Sequence, residues 1–131
     1  MFSRIMYTTL FVTNQDQALD FYTRAFGFQK RADYPGPEGR FLTIALGGDG
    51  PELLLWPGSA GRPNTTAGAP AISAPGPLII ESDDLENDFE ILRSRGVTFA
   101  DAKPEHYAFG MRVTALDPDG NRVSLRQTRK S

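Results

Sequence analysis

The chain reads as α+β: two βαβββ modules forming curled mixed sheets around a concave cavity, with the helices packed outside. Three observations predict this. Each half of the 131 residues holds one amphipathic helix followed by short strands. A segment punctuated by Pro and Gly, 57–76, separates the halves. A weak internal repeat sets Asp20-Phe21…Gly27-Phe28 against Asp88-Phe89…Gly96-Val97, with one residue gained in the second copy. One module alone buries only part of its apolar face, so pairing of two modules is the expected solution. The chain, 1–131, is then one domain: module one at 4–56, a linker at 57–76 and module two at 77–127.

Residues 4–12 are rich in Tyr, Thr, Ile, Phe and Val, which fit a pleated surface, and predict a strand. Thr13 and Asn14 offer N-cap oxygens, with Asp16 and Gln17 three residues on. Ala18, Phe21, Tyr22, Ala25 and Phe26 then recur at helical spacing, and Gly27 stands where a left-handed residue ends a helix. Strands are expected at 28–34, 40–46 and 52–56, broken by Pro35-Gly36-Pro37-Glu38-Gly39 and by Gly47-Gly48-Asp49-Gly50-Pro51.

The segment 57–76 is too long for an ordinary connection and reads as a mobile connector, with a substrate lid as the second reading. The pattern then restarts. A strand is expected at 77–81. Asp83 with Glu86 reads as a capping box, Leu85, Phe89 and Leu92 face one way on a helix, and Gly96 ends it. Strands follow at 97–100, 111–116 and 122–126, with a further one at 107–109. Asp117-Pro118-Asp119-Gly120 is a tight turn: Pro suits its second position and Gly supplies the positive φ that closes the hairpin.

Composition narrows the chemistry. There is no cysteine and one histidine, His106. Thiolate nucleophiles, disulfides, zinc fingers and sites needing two histidines from one chain are excluded. Fourteen basic against sixteen acidic residues leave a net charge of −2, so no nucleic acid is expected as a partner. No apolar run approaches membrane-spanning length and no signal-like segment opens the chain, so no membrane association and a cytoplasmic location are expected. No Gly-rich phosphate loop is present, and Gly58-Ser59-Ala60-Gly61 lacks the spacing of a nucleophile elbow. His106 reads first as a solvated or hydrogen-bonded loop residue.

Asp20-Phe21-Tyr22-Thr23-Arg24 followed by Phe26-Gly27-Phe28, behind a strand and an N-cap, resembles the first module of the vicinal-oxygen-chelate superfamily. Glyoxalase I, extradiol dioxygenases, fosfomycin-resistance enzymes and bleomycin-resistance proteins belong to it. Asp117-Pro118-Asp119-Gly120-Asn121 resembles its closing hairpin, and the two modules cover residues 4–127. In the family's metalloenzymes four strand positions present His, Glu or Gln to a divalent metal. By motif these fall on Tyr7, Leu54, Pro77 and Ser124, which are not a ligand set. Glu52, on the face of Leu54, and Glu81, on the face of Pro77 and Ile79, leave a two-carboxylate site as an alternative. Their plainer readings are a strand-edge residue and a helix-entry residue.

This departure resembles the bleomycin-resistance branch, which binds a flat or aromatic ligand between subunits without chemistry. The resemblance then implies a metal-free small-molecule-binding protein without cofactor, such as one sequestering an aromatic drug or metabolite, and a homodimer. The ligand-binding candidates are Tyr7 and Thr9 on the first strand, Leu54 and Trp56 on module one's last strand, and Ser124 with Arg122 or Arg126 on the final strand. Tyr107 and Phe109 are expected near the rim. Trp56 suits either a stacking residue at a pocket mouth or ordinary packing. The alternative is an enzyme of the same fold, a glyoxalase-like lyase, an isomerase or a dioxygenase relative, with Tyr7, Glu52, Glu81 or His106 as acid or base. A structural module with a filled concave face is the third reading.

Overall fold

In a computed structural model of the chain, residues 1–37, 39–48, 50–58 and 76–129 are described. All but the ends of the expected linker lies outside the described residues. Strand β1 (Tyr7–Val12) is shorter than the 4–12 expected. It is followed by α1 (Gln15–Phe26), β2 (Gln29–Tyr34), β3 (Phe41–Ala45) and β4 (Glu52–Pro57). After the linker come β5 (Leu78–Glu81), α2 (Leu85–Ser94), β6 (Thr98–Phe99), β7 (Glu105–Tyr107), β8 (Gly110–Leu116) and β9 (Arg122–Thr128). The architecture is α+β with two mixed sheets, and the chain divides into two compact units, Met1–Pro63 and Asn64–Ser131. Neither helix is long and apolar enough to cross a membrane.

In the first unit the strand order is β1-β4-β3-β2. β1 runs parallel to β4, and the remaining pairs are antiparallel. A parallel pair needs a crossover, here the helix and hairpin between the two strands. The Asn14 side chain accepts the Gln17 N–H at 2.9 Å and starts the helix. Gly27, at φ 80°, sends its N–H back to the Tyr22 carbonyl and ends it. α1 packs on β4 and β2. Its buried Ala18, Phe21, Tyr22 and Ala25 form the core with Leu10, Val12, Leu42, Ile44, Leu53 and Leu55. Gln15 locks the helix entry by donating to the Arg40 and Leu55 carbonyls, each at 2.9 Å. The β2–β3 register shifts between Lys30 and Ala32, a bulge the residue pattern does not announce.

The second unit repeats the scheme. Its order is β5-β9-β8-β6, with β7 also on β8, and β5 runs parallel to β9. Thr9 opposes Leu54 in one unit and Ile79 opposes Ser124 in the other, at the same sequence separation. Two expectations are corrected here. Asp84, not Asp83, caps α2, accepting the Asn87 N–H at 3.3 Å. Leu85 is fully buried, which fixes where the helix must begin, and its N–H is taken by Gln127 Oε1 at 2.8 Å. The strand expected at 107–109 is instead Glu105–Tyr107, because Gly110 begins β8 and Phe109 stands exposed in the turn between them. The closing hairpin forms as expected, with Asp117 donating its N–H to the Asn121 carbonyl at 3.0 Å.

Candidate functional site

In each unit one sheet face meets the helix, and the alternate residues point to the other face. In the first unit Leu10, Val12, Leu53 and Leu55 take the helix face, so Tyr7, Thr9 and Phe11 of β1 and Glu52, Leu54 and Trp56 of β4 take the other. The four candidates Tyr7, Thr9, Leu54 and Trp56 thus share one surface. The strand register sets Tyr7 beside Glu52, Thr9 beside Leu54 and Phe11 beside Trp56.

β3 adds two residues the sequence reading left out. The Phe41 ring meets Tyr7 edge to face, with centroids 5.6 Å apart. Thr43 is buried beside Leu54 and donates its hydroxyl to Glu52 Oε1 at 2.7 Å. The Trp56 indole reaches the turn before β3, where a Cβ on Gly39 would stand 3.8 Å from it. Alternation along Phe41-Leu42-Thr43-Ile44-Ala45 was the available signal. An open cleft of about 470 Å³ at the β3–β4 end of this unit is lined by Arg4, Arg31, Ala45, Gly48, Gly50 and Glu52.

In the second unit Val123 and Leu125 are buried in the core, and Arg122, Ser124 and Arg126 alternate with them. The Arg126 Nε donates to Ser124 Oγ at 3.1 Å. Tyr107 is brought to this face: the guanidinium carbons of Arg112 and Arg126 stand 4.7 and 5.5 Å from its ring centre. Phe109 is 71% exposed and meets only the edge of Tyr107. Arg112 belongs to this cluster and was not among the candidates, because the strand expected at 107–109 begins two residues late and misses the Glu105–Tyr107 pairing that brings Tyr107 beside Arg112. His106 alternates with Glu105 and Tyr107. It turns to the opposite face, where a groove of about 240 Å³ is lined by His106, Gly110, Met111, Gln127, Thr128 and Arg129.

The four positions that the resemblance assigns to metal ligands, Tyr7, Leu54, Pro77 and Ser124, do not carry a donor set for a divalent ion. Leu54 and Pro77 carry no donor atom, and β5 begins after Pro77, so that Ile79 is the residue opposite Ser124. The Glu52 carboxylate is engaged by Thr43, and Glu81 accepts from Thr128 at 3.4 Å. Among the described residues no three His, Cys, Asp or Glu side chains group to hold a metal.

Two mixed sheets, each with its helix on one face and its first strand parallel to its last, mark a class of duplicated βαβββ proteins. The chain belongs to the Glyoxalase/Bleomycin resistance protein/Dioxygenase superfamily, whose sequence profile matches residues 4–125. It is similar to TnmS3, an antibiotic-binding protein from Streptomyces sp. CB03234, at 32% identity and a TM-score of 0.80 over 98% of both chains. An uncharacterised Bacillus subtilis protein, YetH, is 28% identical over 97% of this chain and all of its own. A lactoylglutathione lyase of Neisseria meningitidis is 31% identical over 95% of this chain and 90% of its own length.

Proposed function

We propose that this protein binds a small molecule with a flat, aromatic body and holds it without a resident metal and without turnover. The carrying observation is the chemistry of the four family positions, Tyr7, Leu54, Pro77 and Ser124, set on faces that also present rings and hydrogen-bonding groups. On the first unit's face Tyr7, Phe41 and Trp56 offer stacking surface and Thr9 a polar anchor; on the second unit's own face Tyr107 offers a ring beside Arg112 and Arg126. The similarity to an antibiotic-binding protein supports sequestration as the role. Exposed Ile5, Met6 and Ile79 support association into a homodimer.

Trp56 is the only tryptophan, so its fluorescence reports on one place. Titration with a panel of aromatic and glycopeptide antibiotics is expected to change its emission saturably for at least one compound. Indifference to the whole panel would overturn the reading. The similarity to a lactoylglutathione lyase favours one competing reading, a metal-dependent enzyme. Elemental analysis of protein purified without chelator separates the two, since the lyase reading requires stoichiometric metal.

A further inference from the structure

Arg112 and Arg126 are direct cross-strand partners on β8 and β9. Each has an acidic residue as its outer neighbour: Glu105 on β7 opposes Arg112, and Glu81 on β5 opposes Arg126. The row across the sheet therefore runs acid, base, base, acid. Like charges placed directly opposite one another are unfavourable.

The outer acids satisfy the inner bases only in part. Glu105 pairs with Arg112 at 3.6 Å, too long for a hydrogen bond, and the Arg112 Nε has no hydrogen-bond partner. Glu81 is hydrogen-bonded to Thr128, and among the described residues no carboxylate lies within ion-pair distance of Arg126. Both guanidinium groups lie against the Tyr107 ring, which restrains them at a loss of little charge. Ser124 and Thr114, opposed in the neighbouring row and both buried, continue the polar surface.

We infer that Arg112 and Arg126 together receive one oxyanion of the ligand, a carboxylate, sulfonate or phosphate, so that the ligand class is an acidic aromatic compound. Planar guanidinium forks suit such groups, and two of them side by side on one sheet face present their remaining N–H donors together. This inference rests on the small-molecule-binding reading above.

Two dyes sharing an aromatic body test it on the full chain: 8-anilinonaphthalene-1-sulfonate and the neutral N-phenyl-1-naphthylamine. At low ionic strength the sulfonate is expected to bind about ten-fold tighter or more, and added salt should erode the difference. Arg112→Gln with Arg126→Gln should abolish the preference, so that the two dyes bind the variant with equal affinity. Arg4→Gln with Arg31→Gln, at the cleft of the other unit, should keep it. Equal binding of both dyes by the unsubstituted protein overturns the anion assignment while the binding reading stands. A preference lost only in the Arg4 and Arg31 variant overturns it too. If neither dye binds, the anion assignment falls, and the antibiotic panel decides the binding reading by itself. Should the Arg112 and Arg126 variant not fold, the salt dependence of the two dyes in the unsubstituted protein decides: a preference indifferent to salt overturns the assignment.

Discussion

Thr43 joins the bulged strand to the open sheet face: its hydroxyl donates to Glu52 Oε1 at 2.7 Å and accepts the Ala32 N–H at 3.1 Å. The register shift in β2 takes that amide out of the regular ladder, and a side chain completes it. Thr43→Val keeps the shape and removes both bonds. The expected cost is about 1–3 kcal/mol in urea unfolding. Glu52→Gln, which keeps an acceptor, should cost less, and the double variant should cost less than the two added together. Strict additivity would show that the hydroxyl does not couple the two groups.

Arg40 ties three segments together. It donates to both oxygens of Asp33, at 2.7 and 2.8 Å, and to Asp16 at the start of α1 at 2.6 Å. The Arg40 hydrogen bond holds the Asp33 carboxyl at about 2, below its ordinary 3.8. Arg40 is in turn held above its ordinary range, by Asp33 first and then Asp16. Because the folded-state value of Asp33 is the lower one, its stabilisation is complete above the unfolded value and disappears as pH falls through about 2. Melting temperatures of the unsubstituted protein should therefore fall more steeply than those of Asp33→Asn between about pH 5 and pH 2. Parallel curves would refute this.

The turn closing β8 and β9 hangs on one buried carboxylate. Asp117 accepts from the Asp119 N–H at 2.9 Å, from the Asn121 N–H at 2.8 Å and from the Asn121 amide at 2.9 Å. Asp117→Ala should cost about 2–3 kcal/mol, since buried donors lose a charged acceptor, and Asp117→Asn should cost less. Chemical denaturation ranks the two variants.

Gly110 starts β8 at φ 145°, and a Cβ there would fall on the Gln127 carbonyl and stand 2.8 Å from the Arg129 nitrogen. The backbones approach too closely for any side chain. Gly110→Ala is expected to lose about 1–3 kcal/mol and to loosen β7. Amide exchange at Glu105, His106 and Tyr107 should then accelerate more than at β5; uniform acceleration would count against a local effect.

Tyr7 is 39% exposed and packs perpendicular to the Phe41 ring, so it contributes surface more than core. Tyr7→Leu should leave the unfolding midpoint nearly unchanged. For a panel compound that binds, it should lower affinity by about three- to ten-fold, the worth of one aromatic contact. An unchanged affinity would remove Tyr7 from the binding face.

Periodicity and punctuation carried the elements. The alternation of β1 and β4 already put Tyr7, Thr9, Leu54 and Trp56 on one surface, because successive strand residues must point to opposite faces. The helical spacing of Ala18, Phe21, Tyr22 and Ala25 likewise marked the face that α1 buries. The start of α2 slipped by one residue because Asp83 and Asp84 are equally good caps locally, and the burial of Leu85 chooses between them.

What the residue order determined alone was local: which segments are strands and helices, and which faces are apolar. Tertiary structure decided the partnerships. Strand β7 had to pair with β8 before Tyr107 could meet Arg112 and Arg126, and β3 had to fold beside β4 before Thr43 could reach Glu52. Side chains distant in sequence meet only through register, and register is set by pairing across the sheet.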